Sequence, residues 1–407
     1  MKVLPSAILV TGFLHVVAGL VHRRATTKPL STWMADSIMA RNEGHGVNAT
    51  GSPIVSYEHG EFQQALRALF ARTGDLKYLA YIKEGIDAVV SPTGEITSHY
   101  NQSRYSLDDL RIGPSMIKLL ESTGDSRYKI ALQTYRVHLY NQPRNTEGGF
   151  WHRGSSYPYQ MWLDGIYMAE PFYTLYARDL EHLNATAFAD IENQFKLIYA
   201  NTFDDATKLL KHGYFDLNAP SDLARPVWVD AVTGAAPHIW DRAVGWYVMA
   251  LTDMLIGWDA LPPWTSAYRT LLAQYRQLVP ALAANADPES GAWWLVLTDG
   301  YQGREGNYIE SSGSVMFCYA MLKAVRSGLV PDPEGIIRNA AIKAYDWIGD
   351  NMLIENADGT LSLNGTVNVG SLGSNGTFEY YISQFIRLDD LKGTAAFVLA
   401  SLEYELV

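Results

Sequence analysis

Only one cysteine, Cys318, occurs in the 407-residue chain, so no disulfide can form within it. Its place in the apolar run 315–320 predicts a buried, inert thiol. Cations are also in short supply: 32 Lys and Arg against 43 Asp and Glu leave a net charge of −11. That balance argues against a nucleic-acid partner, which needs a basic stripe. It leaves room for an anionic ligand, since one local Arg or His can receive a carboxylate. Long apolar stretches are missing except at the N-terminus, where Lys2 precedes the run 3–17, too short to span a bilayer comfortably. Small residues follow near Ala18 and Gly19, then the basic pair Arg23 and Arg24. This predicts a secretory leader over residues 1–24, an exported protein and no membrane anchor. Five N-glycosylation sequons, at Asn48, Asn101, Asn184, Asn364 and Asn375, fit the same route. The chain carries no Gly-rich phosphate loop, no His-Glu-x-x-His pair, no Gly-x-Ser-x-Gly elbow and no Asp-rich magnesium motif. Nothing that can be read therefore calls for a metal or another cofactor.

Aromatics are plentiful, with 11 Trp and 25 Tyr. A core can use many of them, but sugar-binding clefts are also lined with flat rings. Helical periodicity dominates: Phe62, Ala65, Leu66, Leu69 and Phe70 trace one buried face. The segment from Arg72 to Tyr78, with Thr73-Gly74-Asp75 inside it, returns as Ser122 to Tyr128 around Thr123-Gly124-Asp125. Gly ends one helix and Asp caps the next, so the unit is a helical hairpin with a period of about 50 residues. Helices are expected at 28–42, 57–72, 76–90, 107–122, 126–140, 164–182, 187–201, 239–257, 264–284, 311–327, 334–351 and 389–405. Strand signal is confined to 291–298 and 360–369. Six hairpins without a central sheet predict an all-α (α/α)6 barrel; an open solenoid would carry cleaner repeats. With no linker in the composition, residues 25–407 form one catalytic domain, expected as a monomer. The long loops 95–106, 141–163, 203–238, 291–310 and 360–388 would gather over one end of the ring.

The segment 147–176 places Trp162 and Asp164 among bulky rings, with His152, Tyr157 and Tyr159 upstream. A carboxyl in such a setting is expected to have a raised pKa and to serve as a general acid. The bland alternative is that Asp164 merely caps a helix over 165–180. Around residue 106, Ser106 with Asp109 reads as an acidic capping box, which leaves Asp108 free for the cleft. His212 follows a loop, where a lone His is more often structural. Trp240 and Arg242 at a helix start suggest a stacking platform beside a carboxylate clamp, or else an Arg paired with a neighbouring acid. The run from Tyr308 through Glu310 to Ser314 marks the start of a further inner helix.

The runs around Gly148–Phe172, Trp240–Asp253 and Glu310–Ala320 resemble glycoside hydrolase family 105, the unsaturated rhamnogalacturonyl hydrolases. They share their plan with the family 88 unsaturated glucuronyl hydrolases. The resemblance runs from about residue 55 to the C-terminal segment ending near Phe397. It implies an (α/α)6 barrel and an exo-acting enzyme that removes a 4,5-unsaturated galacturonic acid from rhamnogalacturonan fragments. It implies hydration of the C4=C5 vinyl ether, with Asp164 as acid/base and Asp108 as second acid. It also implies Trp162 and Trp240 as stacking walls, His212 as a binding residue, Arg242 meeting the uronate, and His152 lining the pocket. Asp241 departs from the small residue expected there, and an acid at that place would weaken the pull of Arg242 on a carboxylate. Rival readings are an unsaturated glucuronyl hydrolase, an (α/α) barrel acting on saturated polysaccharide, and a non-catalytic sugar-binding barrel.

Overall fold

The architecture is given by a computed structural model that describes residues 28–96 and 100–407; the expected leader over 1–24 lies outside them. Helix α1 (Leu30–Ala40) opens the described chain. Helix α2 (Tyr57–Thr73) begins where Ser56 Oγ accepts the Glu58 amide, buries Phe62, Ala65, Leu66 and Leu69, and stops at Gly74 with φ 69°. Asp75 then caps α3 (Leu76–Val89) by accepting the Lys77 amide. The expected repeat is present: α4 (Gly113–Thr123) ends on Gly124 at φ 67°, and Asp125 caps α5 (Ser126–Tyr140).

Three more hairpins follow: α6 (Leu163–Leu175) with α7 (Ala185–Thr202), α8 (Asp241–Leu255) with α9 (Ser266–Ala284), and α10 (Ser311–Arg326) with α11 (Ile336–Asn351). After the short α12 (Phe378–Ile382), helix α13 (Leu391–Tyr404) packs against α1, from the other end of the chain. There Ser31 donates its amide and hydroxyl to the Glu405 carboxylate at 3.0 and 2.9 Å. The sixth pair is thus made by the two chain ends. Contacts run from α2 through α4, α6, α8, α10 and α13 back to α2, closing an inner ring with the other long helices outside. Helix α8 is buried at every position, as a helix enclosed on all sides must be. This is the expected (α/α)6 barrel.

Two boundaries differ from expectation. Residues 107–112 form a 3₁₀ turn ahead of α4, which starts beside Pro114, where a missing N–H costs least. Helix α6 gives way at Tyr176 to a single π-turn through Leu180. The strand expected within 360–369 is real, as β4 (Leu361–Leu363), paired with β3 (Leu353–Glu355), and β5 (Thr366–Val367), paired with β6 (Ile386–Arg387). The segment 291–298 makes only the isolated bridges Trp240–Val296 and Trp294–Ile309. An unexpected pair, β1 (Gln160–Trp162) with β2 (Gly213–Phe215), ties two long loops together at the barrel mouth. Among the sequons, Asn101, Asn364 and Asn375 are exposed, whereas Asn184 caps α7 and donates Nδ2 to Glu181 at 2.8 Å.

Candidate active site

Strand β1 runs straight into α6, and Trp162, still extended (φ −119°, ψ 149°), takes the position before the first turn. Asp164 falls inside that turn, and no side chain caps the helix, so the capping reading fails. The Leu163 amide donates to His212 O at 3.0 Å and sets the loop after α7 beside the helix start. The Asp164 carboxyl consequently meets His212 Nε2 at 3.1 Å. The other ring nitrogen of His212 lies 2.7 Å from the Tyr381 hydroxyl of α12.

Asp164, Asp108, Trp162 and His152 line one cavity of about 110 Å³, closed by Tyr57, Met168 and the segment 369–371. Trp162 is stacked on His152 (centroids 4.4 Å, planes 17° apart) and tilted against Tyr157 at 4.3 Å. Asp108 is held by Arg153, whose Nε donates at 3.1 Å, and it faces His152 Nε2 at 3.7 Å. Burial pushes the His152 imidazole down despite that acid, so its ring is neutral at neutral pH.

The charge state of Asp164 is a correction. Burial pushes its carboxyl up, but His212, by charge and hydrogen bond, outweighs burial and holds it below the usual range. The expected upward shift took account of the local rings and not of a partner 48 residues away. The capping box at Ser106 is a second correction. Ser106 makes no cap bond, and Asp109 is instead half-buried, where desolvation and the neighbouring charge of Asp108 push its carboxyl up to about 7.

Trp240 and Arg242 sit behind the cavity wall. Trp240 is 2% exposed, stacks with Tyr381 and backs His212 at 4.9 Å. A Cβ on Gly370, a lining residue, would come within 2.9 Å of its ring. Arg242 is 1% exposed and donates to Val367 O at 2.6 Å and Asn368 O at 2.7 Å, so these donors are not free for a uronate. Its acid partner is Glu310, at 3.9 Å. Burial, with Glu310 beside it, pushes Asp241 far above the usual carboxylate range; Asp241 is a neutral acid and does not compete for the guanidinium. Glu310 also accepts the Val367 amide at 2.9 Å. Together Arg242 and Glu310 pin the strap that leads into 369–371.

Residues 30–407 match the family model described as Glycosyl Hydrolase Family 88. The chain belongs to glycosyl hydrolase family 88. It is 36% identical to a family 105 glycoside hydrolase of C. acetobutylicum, whose structure superposes with a TM-score of 0.83 over 93% of this chain and all of the other. It is also 34% identical over 221 residues to a curated protein of Rhizobium radiobacter, the 24.9 kDa protein in the picA locus, covering 53% of this chain and 89% of that one. An unsaturated glucuronyl hydrolase specific for heparin shares the fold, with a TM-score of 0.64 at 14% identity over 93% of this chain and 96% of that one.

As a family 88 member the protein is a glycoside hydrolase, and its substrate is an oligosaccharide. Reading the sequence missed Tyr57, Arg153, Met168 and Tyr381 as neighbours of the site, whereas Tyr157 was among the rings singled out upstream of Trp162. Arg153 had a legible signal in its place beside His152 in the aromatic loop, and its guanidinium comes to 5.7 Å from the Tyr157 ring. Tyr381 had none, because it reaches Asp164 only through His212.

Proposed function

We propose that this family 88 enzyme removes a 4,5-unsaturated uronic acid from the non-reducing end of oligosaccharides left by a polysaccharide lyase, and that it does so by hydrating the C4=C5 bond. The observation that carries this reading is one carboxyl, Asp164, placed with its own imidazole partner in a small ring-lined cavity. The second acid, Asp108, is already engaged by Arg153. A hydrolase that attacks the anomeric carbon needs two carboxyl groups free to flank the glycosidic bond.

In the first step a proton moves from Asp164 to C4 and the double-bond electrons follow it. Positive charge then collects at C5 and the ring oxygen. Water adds at C5 and gives its proton to the Asp164 carboxylate, restoring the acid. The hemiketal opens to a C5 ketone, and the hemiacetal left at C1 breaks to release the aglycone. Aid of this kind is worth about 10²–10⁴-fold.

In the free enzyme Asp164 is held as the carboxylate, so it must gain a proton as substrate arrives. The uronate supplies the reason: a second anion in the same cavity raises the proton affinity of the first. The start of α6 in turn offers that anion the positive end of a helix.

Galacturonate and glucuronate differ only in configuration at C4, and forming the C4=C5 bond erases that centre. The reacting sugar is therefore the same from either parent, and the aglycone decides which polysaccharide is served. Rhamnogalacturonan fragments are the proposed source, met outside the cell; the leader-like N-terminus and the exposed sequons support that location. Incubation with lyase-treated rhamnogalacturonan tests the reaction. Loss of the ultraviolet absorbance of the C4=C5 bond supports it, and a gain would mark a lyase instead.

A further inference from the structure

Tyr157 lines both the small cavity and an outer one of about 310 Å³. Its walls are the loop 224–227, the strap residues 372–374 and the segment 156–160. These walls are built in advance. Trp162, Phe215, Trp228, Ala236 and Leu372 form a hydrophobic cluster of their own, separate from the barrel core. The Trp228 indole donates to Leu372 O at 2.7 Å, tying the loop to the strap. A Cβ on Gly373 would meet the Tyr157 ring at 3.1 Å, and one on Gly376 would meet Trp228 at 2.9 Å. The two sides therefore touch at glycines, and Tyr157 is the wall the outer cavity shares with the inner one.

The charge of this outer cavity is opposite to that of the chain. In a protein with 43 acids its lining contains no Asp or Glu, and Arg225 is the one ionisable cation there. The guanidinium is exposed; it makes a hydrogen bond to Leu217 O at 3.3 Å and, among the described residues, no ion pair. Arg242, by contrast, is buried and bonded to backbone carbonyls. Arg225 is thus a fixed cation facing a cavity with no counter-charge, and a planar guanidinium is matched to a carboxylate.

We infer that the outer cavity is the aglycone subsite and that Arg225 makes the enzyme select oligosaccharides whose aglycone carries a uronate. The inference rests on the proposed hydration reaction for its directionality. The acid it names belongs to the sugars beyond the scissile bond and not to the unsaturated residue. Because the unsaturated sugar is common to galacturonate and glucuronate parents, the choice between them has to be exercised here. Arg225 is then a specificity-determining residue that touches substrate without taking part in the proton transfers.

The test compares two unsaturated substrates, a disaccharide with a neutral aglycone and an oligosaccharide with a uronate in the aglycone, on wild-type enzyme and on Arg225→Gln. The expected result is a fall of about fivefold to tenfold in kcat/KM for the acidic substrate, carried by KM, with the neutral one unchanged. Arg225→Lys should recover part of the loss. The wild-type preference should also shrink as salt is raised. Equal losses on both substrates, or none on either, would overturn the inference. If the wild-type enzyme consumed neither substrate, the hydration reaction would be the part that failed. Calorimetric binding of the same acidic oligosaccharide to wild type and Arg225→Gln would then decide the subsite alone, with equal affinities counting against it.

Discussion

Nε2 of His212 lies 3.1 Å from Oδ2 of Asp164. A carboxylate can only accept, so Nε2 carries the hydrogen and donates it. The other ring nitrogen, Nδ1, lies 2.7 Å from the Tyr381 hydroxyl. The chain Tyr381, His212, Asp164 ends on the group that faces the cavity.

Removing the imidazole should therefore move the pH profile in a known direction. His212 lowers the proton affinity of Asp164 against the push of burial. In His212→Gln burial prevails, and the alkaline limb of kcat, where Asp164 loses its catalytic proton, should move to higher pH. A pH–rate series measures it. An unmoved limb would show that the imidazole does not govern this carboxyl.

Binding should take up a proton. The free enzyme holds Asp164 as a carboxylate, and the reaction starts from the acid. Titration of an unreactive uronate analogue in buffers of different ionisation enthalpy should give an uptake approaching one proton per site near neutral pH, and less at acid pH. No uptake at any pH would mean that the acid is supplied in some other way.

Arg242 and Asp241 should respond oppositely to neutral replacement. Arg242→Gln removes both donors from Val367 O and Asn368 O and leaves Glu310 buried without its cation, a loss of about 3–5 kcal/mol. Thermal melts should show a large fall in Tm, and the loosened strap should raise KM. Asp241 is already a neutral acid, so Asp241→Asn keeps its shape and charge and should cost less than about 1 kcal/mol. Equal destabilisation by the two changes would contradict the assignment of Glu310 as the partner of Arg242.

Asp109 should impose a pH dependence on stability. Its carboxyl sits near pH 7 in the folded chain and near 3.8 when exposed. Between these values the folded state binds a proton that the unfolded state has lost. Stability therefore falls as pH rises from about 4 to about 7, and the full cost of burying the charge is present above that. Asp109→Asn should remove this trend, gaining more Tm over wild type at pH 8 than at pH 4 in parallel melts. A constant difference would refute the shift.

The helical frame was legible because its signals are local. The Gly74 and Asp75 device and its copy at Gly124 and Asp125 are stop and start instructions written side by side, and the buried stripe of α2 is read from spacing alone. Closure of the ring was less so, since α13 finds α1 from the far end of the chain. At the site, Asp164, Asp108, Trp162 and His152 come from two neighbouring stretches, and their meeting could be expected. The sign of the Asp164 shift could not, because it is set by His212 across the β1–β2 pair. Arg242 was misplaced for a similar reason: its partners, Val367, Asn368 and Glu310, arrive from segments more than sixty residues away.

The most direct test follows the double-bond absorbance of an unsaturated uronyl disaccharide with wild-type enzyme and with Asp164→Asn, alongside calorimetric binding to the variant. Asn preserves the shape of the side chain and still accepts a hydrogen bond, but it cannot deliver the proton to C4. The expected result is a rate lower by about 10²–10⁴-fold with binding retained. A variant that consumes the substrate at nearly the wild-type rate would contradict the assignment of Asp164 as the acid.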